Sequence, residues 1–213
     1  DQLLRGDRRA VARTISQVEN DSALSREILK RVYAKTGKAY RVGITGPPGA
    51  GKSTLTNKLA KLYRTQQKKV GIIAVDPTSP FTGGALLGDR VRMSEVELDE
   101  GVFIRSMASR GSLGGLSKRA KEAADILDAA GYDIVLMETV GVGQSELDIA
   151  GAADTTVVVL VPESGDGIQA MKAGLMEIAD FFVLNKADRP GAEQAVMSLK
   201  MILGFRMHDA ESW

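Results

Sequence analysis

The chain has 213 residues, 44% of them hydrophobic and 26% charged, a composition typical of a soluble protein with a substantial core. Its 28 basic and 27 acidic side chains leave a net charge of +1, which argues against nucleic acid or an anionic membrane as a charge-selected partner. Cysteine is absent and no apolar run reaches about 18 residues, so disulfides, thiolate metal sites and a membrane-spanning segment are excluded and a cytoplasmic location is expected.

The first 39 residues have the apolar pattern of amphipathic helices. Apolar side chains recur at spacings of three and four positions, with Arg, Asp and Glu between them. The stretch ENDS at 19–22 interrupts this pattern and can cap a second helix. Residues 1–39 are therefore predicted to form an N-terminal helical extension of two helices. The apolar positions are Leu3, Leu4, Val11, Ile15, Val18, Ile28, Leu29 and Val32.

From Tyr40 onward, short apolar and β-branched runs alternate with longer amphipathic stretches. Such runs, of about five residues each, are typical of strands that are buried on both faces of a sheet. Because helices separate them, residues 40–213 are predicted to form a doubly wound α/β domain with a mainly parallel sheet. The predicted strands are 40–45, 70–76, 101–106, 133–138, 155–162 and 181–185, and the predicted helices are 52–67, 117–130, 145–152, 167–179 and 191–203.

The first strand-to-helix turn of this domain carries a phosphate-binding motif. Its sequence, GPPGAGKST, matches G-x-x-x-x-G-K-[ST] in the strand–turn–helix context that a P-loop NTPase requires. The glycines let successive N–H groups point into one concavity at a helix N-terminus, which favours phosphate. Lys52 is expected to reach the β- and γ-phosphates, and the Ser53 hydroxyl to bind Mg²⁺. The candidate nucleotide-binding residues are Gly46, Pro47, Pro48, Gly49, Ala50, Gly51, Lys52, Ser53 and Thr54.

A second motif, N-K-A-D at 185–188, predicts which base is bound. Guanine presents two adjacent donors, N1–H and the N2 amino group, and one carboxylate can accept from both, whereas adenine has an acceptor at N1. Asp188 is the candidate reader of guanine. Asn185 is expected to brace the base and the loop, and the stem of Lys186 to lie over the ring. The predicted nucleotide is therefore GTP rather than ATP.

Three acidic residues are candidates for the magnesium side of the site. Glu138 ends a strand that should neighbour the phosphate-loop strand, and a carboxylate there can organise Mg²⁺ through water. Asp76 ends another strand, and Asp89 lies in the long glycine-rich segment that follows it. The alternative for each aspartate is a turn or capping residue. Mg²⁺ usually keeps several waters and needs only one or two of these acids.

Glycine-rich segments beside the predicted phosphate site are candidates for switches. Gly141 can offer its N–H to a γ-phosphate and lose this contact on hydrolysis. Gln144 either orients a water or belongs to an ordinary helix start. Arg110, in the stretch 107–116, belongs either to a structural loop or to a switch that responds to a partner. The candidates for catalysis are Lys52, Asp89, Glu138 and Gly141.

Taken together, these motifs resemble a known family. The segments GPPGAGKST, VDPTSPFTGGALLGDRVRM, MASRGSLGGL, ETVGVGQSE and VLNKAD follow an N-terminal LLRGDRRAVARTISQVEN. In this order they resemble the GTPase chaperones of cobalamin-dependent acyl-CoA mutases, the MeaB/ArgK group. The resemblance covers essentially the whole chain. A glutamate in place of the common metal-side aspartate is also a mark of the wider class, which includes the nickel-inserting GTPases.

The resemblance implies a homodimeric, slow GTPase that binds methylmalonyl-CoA mutase or a related adenosylcobalamin-dependent acyl-CoA mutase. Such a protein gates delivery of adenosylcobalamin and helps to protect or replace inactivated cofactor. By the same resemblance, Asp76, Asp89 and Glu138 lie near Mg²⁺, and residues 107–116 form a mobile switch. Family members continue past residue 213 with a guanine-backing loop and dimer-forming helices, so a weaker affinity for guanine is expected here. His208 is expected to be structural or exposed.

Two other functions are compatible with parts of this pattern. One is a kinase that passes phosphate from a nucleotide to a transport protein for basic amino acids, but no acceptor-positioning residue can be identified. The other is a metal-insertion GTPase of the wider class. That function normally uses His or Cys ligands, and the single His and absent Cys argue against it.

Overall fold

A computed structural model describes residues 1–76, 96, 98–108, 115–139, 149–162 and 173–210. Side chains are described for these residues apart from 76, 108, 115–117, 173 and 205–210. After a 3₁₀ turn at Leu3–Arg5, the described helices are α1 (Arg8–Glu19), α2 (Ser25–Tyr33), α3 (Lys52–Thr65), α4 (Gly115–Ala129), α5 (Ala173–Ile178) and α6 (Ala192–Ala210). The strands are β1 (Tyr40–Thr45), β2 (Val70–Asp76), β3 (Val102–Ala108), β4 (Ile134–Thr139), β5 (Thr155–Leu160) and β6 (Phe181–Leu184).

The described strands form one parallel sheet in the order β3-β2-β4-β1-β5-β6. This arrangement confirms the predicted α/β fold with a parallel sheet. β1 lies between β4 and β5, with Ile44 opposite Glu138 on one side and Thr45 opposite Val158 on the other. Because parallel strands end at the same edge, the segments that follow β1 and β4 emerge side by side.

Each central strand buries both of its faces. On β2, Ile73 packs into one apolar cluster and Ile72 into another, because successive side chains of a strand point to opposite faces. The first cluster contains side chains of α1, α2 and α4, and the second contains side chains of α3. The sheet is thus covered on both sides, which explains the continuous apolar strands in the sequence.

Most predicted boundaries agree with the structure to within two residues. The largest difference is at α6, which runs to Ala210 rather than 203, since no proline interrupts it. β5 ends at Leu160 rather than 162, where Pro162 has no N–H for a sheet hydrogen bond. The predicted helix 145–152 lies mostly outside the described residues, and so do residues 167–172 of the predicted helix 167–179, whose described part is α5. Within the described residues, no helix has the length and apolar character needed to cross a bilayer.

The N-terminal helices pack onto α4. Val11, Ile15 and Val18 of α1 and Val32 of α2 are buried in the same cluster as the α4 side chains. The Arg119 guanidinium on α4 donates to the Val18 carbonyl at 2.8 Å and pairs with Asp21 at 3.1 Å. The helical extension therefore shares its core with one face of the sheet.

Helix α3 is anchored at its C-terminal end. The Arg64 guanidinium donates to both carboxylate oxygens of Asp99 at 3.0 Å. This hydrogen bond holds the pKa of the Asp99 carboxyl below its usual value, although partial burial opposes the shift. The helix that begins at the phosphate loop is thereby tied to the start of β3.

A buried carboxylate joins the end of α2 to the sheet. Asp128 on α4, whose side chain is fully buried, accepts hydrogen bonds from the backbone N–H groups of Gly37 at 2.7 Å and Ala39 at 3.0 Å. The Arg41 guanidinium lies 3.5 Å from the same carboxylate. These donors compensate for burial of the charge, which is otherwise costly.

Asp128→Asn is expected to destabilise the protein by about 3 kcal/mol, because the amide that replaces one oxygen cannot accept from the backbone N–H groups. Urea unfolding followed by circular dichroism measures the change. Asp125→Asn is the matched control, since Asp125 also pairs with Arg41, at 2.6 Å, but its side chain is 23% exposed. Equal destabilisation by the two variants would contradict this prediction.

Candidate functional site

The segment between β1 and α3 forms a tight loop of backbone with positive φ angles. Gly46, Gly49 and Gly51 have φ values of 135°, 71° and 92°. L-residues with a side chain rarely adopt these angles, so glycine is needed for the loop to curl around a central concavity. The loop ends at the N-terminus of α3, where backbone N–H groups and the helix dipole favour an anion.

Two of these glycines also allow close packing. A Cβ atom at Gly46 would lie 2.1 Å from the Val159 carbonyl oxygen on β5. A Cβ atom at Gly51 would lie 2.3 Å from the Asn185 side-chain nitrogen. The loop is therefore pressed against β5 and the segment that follows β6.

The Lys52 side chain folds back onto the loop. Its ammonium group donates to the Gly46 carbonyl at 2.7 Å and to the Pro47 carbonyl at 3.0 Å, and the residue is only 7% exposed. A positive charge is thus held at the loop by backbone oxygens. An ammonium in this position can bind phosphate oxygens with little rearrangement.

Buried polar side chains lie beneath the loop at the ends of β1 and β4, on both faces of the sheet. Glu138, at the end of β4, is fully buried, and the Thr56 hydroxyl on α3 donates to its Oε2 at 2.5 Å. The hydroxyls of Thr45 and Thr139 lie 3.1 Å apart on the opposite face of the sheet from Glu138, and both residues are buried. Polar groups in this otherwise apolar core make it a candidate functional site.

The N-K-A-D segment contacts the phosphate loop directly. The Asn185 side-chain amide donates to the Ala50 carbonyl at 2.8 Å, and the Lys186 ammonium donates to the Gly49 carbonyl at 2.8 Å. Lys186 itself has a φ of 57°. Asp188 follows with an exposed side chain. The structure therefore brings together two motifs that are far apart in the sequence.

The geometry agrees with a comparison against protein families. The family model described as Methylmalonyl Co-A mutase-associated GTPase MeaB matches residues 11–213. The chain belongs to the MeaB family. The resemblance identified from the motifs is thereby confirmed.

Individual relatives support the same assignment. The chain is 57% identical over 213 residues to a Pyrococcus abyssi protein that carries a provisional GTPase name, covering 100% of this chain and 65% of that protein. It is 44% identical over 190 residues to the GTPase ArgK of Escherichia coli, covering 87% of this chain and 57% of that protein. A crystal structure of an LAO/AO transport system kinase has a TM-score of 0.72 and 34% identity, covering 94% of this chain and 59% of that one. This chain thus covers less than two thirds of each relative.

Several residues predicted from the sequence have no described side chain. Asp89, Arg110, Gly141 and Gln144 lie outside the described residues. Asp76 ends β2, one position beyond the Val75–Thr139 pair of β2 and β4, but its side chain is not described. His208 lies in α6, likewise without a described side chain. Ser53 and Thr54 lie in the first turn of α3, where Ser53 is half-buried and Thr54 exposed.

The donor atoms of this MeaB-family site fit Mg²⁺ better than a softer metal. The Ser53 hydroxyl and the Glu138 carboxylate offer oxygen, which is the ligand type that Mg²⁺ prefers. Among the described residues, no three His, Cys, Asp or Glu side chains cluster as a closed metal site. An ion bound by few protein ligands and completed by water and phosphate is consistent with this arrangement.

Thr56 is a candidate site residue that belongs to none of the sequence motifs. It follows Lys52 by one helical turn, so the helix places it on the same face, toward β4. The sequence feature that points to Thr56 is a hydroxyl residue on the buried face of a helix that begins at a phosphate loop. Its partner could be identified only once β4 was known to lie beneath that helix.

Gly51→Ala is expected to destabilise the protein more than Gly49→Ala. Both positions have positive φ, where a side chain costs about 1–2 kcal/mol. The new methyl group at residue 51 must also displace the Asn185 amide, whereas at residue 49 it meets open space. Thermal unfolding of the two variants isolates this contact, and a lower melting temperature for the Gly49 variant would contradict the prediction.

Proposed function

We propose that this protein binds GTP and hydrolyses it to GDP and phosphate in a Mg²⁺-dependent reaction. The observation that carries the proposal is the contact of Asn185 and Lys186 with the carbonyl groups of Ala50 and Gly49. It joins a loop suited to phosphate to a segment suited to guanine. The GTPase names of the family model and of ArgK support the same chemistry.

The roles of the residues follow from their chemistry. The backbone N–H groups of residues 46–54 and the Lys52 ammonium bind the phosphates and stabilise the charge that develops on the transferred phosphoryl group. The Ser53 hydroxyl and the Glu138 carboxylate hold the magnesium side of the site. When bound, Mg²⁺ neutralises phosphate charge. From the sequence pattern, we also assign Asp76 and Asp89 to the magnesium side and the Gly141 N–H to the γ-phosphate.

Intrinsic turnover is proposed to be slow. Catalysis rests on electrostatic stabilisation by Lys52, the loop N–H groups and the magnesium side, with no strong general base assigned among the described residues. Positioning and charge stabilisation alone leave the attacking water unactivated. A partner that completes the site would therefore raise the rate.

Guanine specificity is assigned to Asp188. Its carboxylate is exposed and can accept from both N1–H and the N2 amino group of guanine. Asn185 holds the same segment against the loop through the Ala50 carbonyl. The base and the phosphates are thus bound by two segments that are held together by the hydrogen bonds of Asn185 and Lys186 to the loop carbonyls.

Asp188→Asn is expected to lower GTP affinity by about 100-fold, since the amide keeps one acceptor but loses one of the two hydrogen bonds to a charged acceptor, a bond worth about 1.5–3 kcal/mol. The same variant should gain affinity for xanthosine triphosphate, because the new amide can donate to the xanthine O2 and accept from N1–H. Calorimetric titration with both nucleotides and Mg²⁺ measures the exchange. Glu177→Gln, at an exposed position of α5, is the control. Equal affinity of the unaltered protein for GTP and ATP would overturn the guanine assignment.

We further propose that GTP binding serves an adenosylcobalamin-dependent acyl-CoA mutase, methylmalonyl-CoA mutase or a close relative. The family description names association with this mutase, and the chain matches that model from residue 11 onward. In this proposal the protein acts in the cytoplasm as a homodimer and gates delivery of adenosylcobalamin to the mutase, which it also protects. GTP hydrolysis then serves to change the conformation of the complex with the mutase, rather than to supply GDP or phosphate as products.

Addition of methylmalonyl-CoA mutase is expected to raise the GTPase rate and to retain this protein on immobilised mutase differently with GTP and with GDP. Lys52→Ala should lower the stimulated rate by about 100-fold or more, because it removes a charge that stabilises the transition state. A rate that no acyl-CoA mutase changes would contradict the chaperone role and leave the GTPase proposal intact. Transfer of label from γ-labelled GTP to a transport protein would favour the kinase alternative that the similar LAO/AO structure suggests.

A further inference from the structure

We propose that Thr56 is a positioning residue that orients the Glu138 carboxylate for the magnesium side of the site. This inference rests on the proposed GTPase function, since it concerns the same site. Thr56 lies outside the phosphate-binding motif, and no role in the reaction follows from that motif. Its role follows from the contact between α3 and β4.

The hydroxyl of Thr56 stands between two acceptors. It lies 2.5 Å from Glu138 Oε2 and 3.0 Å from the Lys52 carbonyl oxygen, one turn earlier in α3. A hydroxyl has one proton to donate, and a carboxylate is a stronger acceptor than a helical carbonyl. The shorter contact with Glu138 therefore takes the proton.

Because the two residues are buried, this hydrogen bond favours one orientation of the Glu138 carboxylate. Thr56 and Glu138 are both fully buried. In such surroundings a hydrogen bond to a carboxylate is electrostatically stronger than in water, and its loss is correspondingly costly. Rotation of the carboxylate away from Thr56 would leave Oε2 without this donor. The hydroxyl thus restricts the torsion that decides where the carboxylate oxygens point.

The hydrogen bond between Thr56 and Glu138 also limits the distance between Ser53 on α3 and Glu138 on β4. Ser53 and Thr56 lie three residues apart on α3, so they share one side of the helix. Ser53 offers a hydroxyl to the metal, and Thr56 holds the carboxylate on β4. The hydrogen bond between α3 and β4 therefore keeps the two magnesium-side groups in register, which a helix packed only through apolar contacts would do less strictly.

A merely structural role makes a different prediction. If Thr56 served only to satisfy the Lys52 carbonyl, its loss would lower stability without changing how the protein responds to magnesium. Removal of a hydrogen-bond partner of a metal-binding group typically lowers metal affinity by roughly 10–100-fold. The response to magnesium is therefore the readout that separates the two roles.

Thr56→Val removes the hydroxyl and keeps the shape of the side chain. The affinity of GDP-bound protein for Mg²⁺ is expected to fall by about tenfold, measured by the change in fluorescence of a labelled GDP as Mg²⁺ is added. Affinity for GDP in the presence of a chelator should stay unchanged, since the phosphate loop is intact. Thr56→Ser, which retains the hydroxyl, should restore the Mg²⁺ affinity. If the valine variant does not fold, Thr56→Cys serves as the weak-donor replacement in the same titration.

Thr14→Val is the matched control, because Thr14 makes the same type of hydrogen bond within α1, to the Ala10 carbonyl at 2.7 Å, away from the site. A double variant provides the decisive comparison: in a Glu138→Gln background, Thr56→Val should cause little further loss of Mg²⁺ affinity. Full additivity, or an unchanged Mg²⁺ affinity in Thr56→Val, would overturn the inference. Failure of the unaltered protein to bind guanine nucleotide at all would instead overturn the proposed function.

Discussion

The position of β1 at the centre of the sheet is the constraint on which the candidate site depends. With β4 on one side and β5 on the other, the end of β1 has Glu138 beside it and the β5 backbone close against the next residue. Gly46 fits there only because it lacks a Cβ atom, which would lie 2.1 Å from a β5 carbonyl. The chain therefore turns directly after β1, and this turn forms the phosphate loop at the carboxyl edge of the sheet.

The buried polar groups beneath that loop are costly for stability. A carboxylate and several hydroxyls are buried where the neighbouring strands are apolar, and a buried charge costs several kcal/mol unless donors surround it. Thr56 supplies one donor, from a helix whose other buried residues include the polar Lys52 and Asn57. Replacement of a buried charged group by an apolar side chain is often neutral or stabilising, so stability alone does not explain the buried Glu138.

The sequence predicted those features that depend on local spacing. Six strands and the helices between them follow from apolar periodicity, and the loop at Gly46–Thr54 follows from glycine spacing beside Lys52. Thr56 and Asp128 could not be recognised in this way. A threonine or an aspartate within a helix has many possible partners, and the choice depends on which strand or segment lies opposite. Likewise, the apolar stripes of α1 and α2 predicted helices but gave no indication that α4 covers them.

The two faces of the sheet separate the site from the helical extension. α3, which follows the phosphate loop, covers one face, whereas α1, α2 and α4 cover the other. α4 is held to the extension near both of its ends, by Arg119 with the Val18 carbonyl and by Asp128 with the amides of residues 37–39. These contacts make α1, α2 and α4 one packed layer. This layer and α3 share the strands β2 and β4, whose side chains pack on both faces, and Asp99 links α1 to α3, because its carbonyl accepts from Arg8 at 3.2 Å and its carboxylate accepts from Arg64 at 3.0 Å.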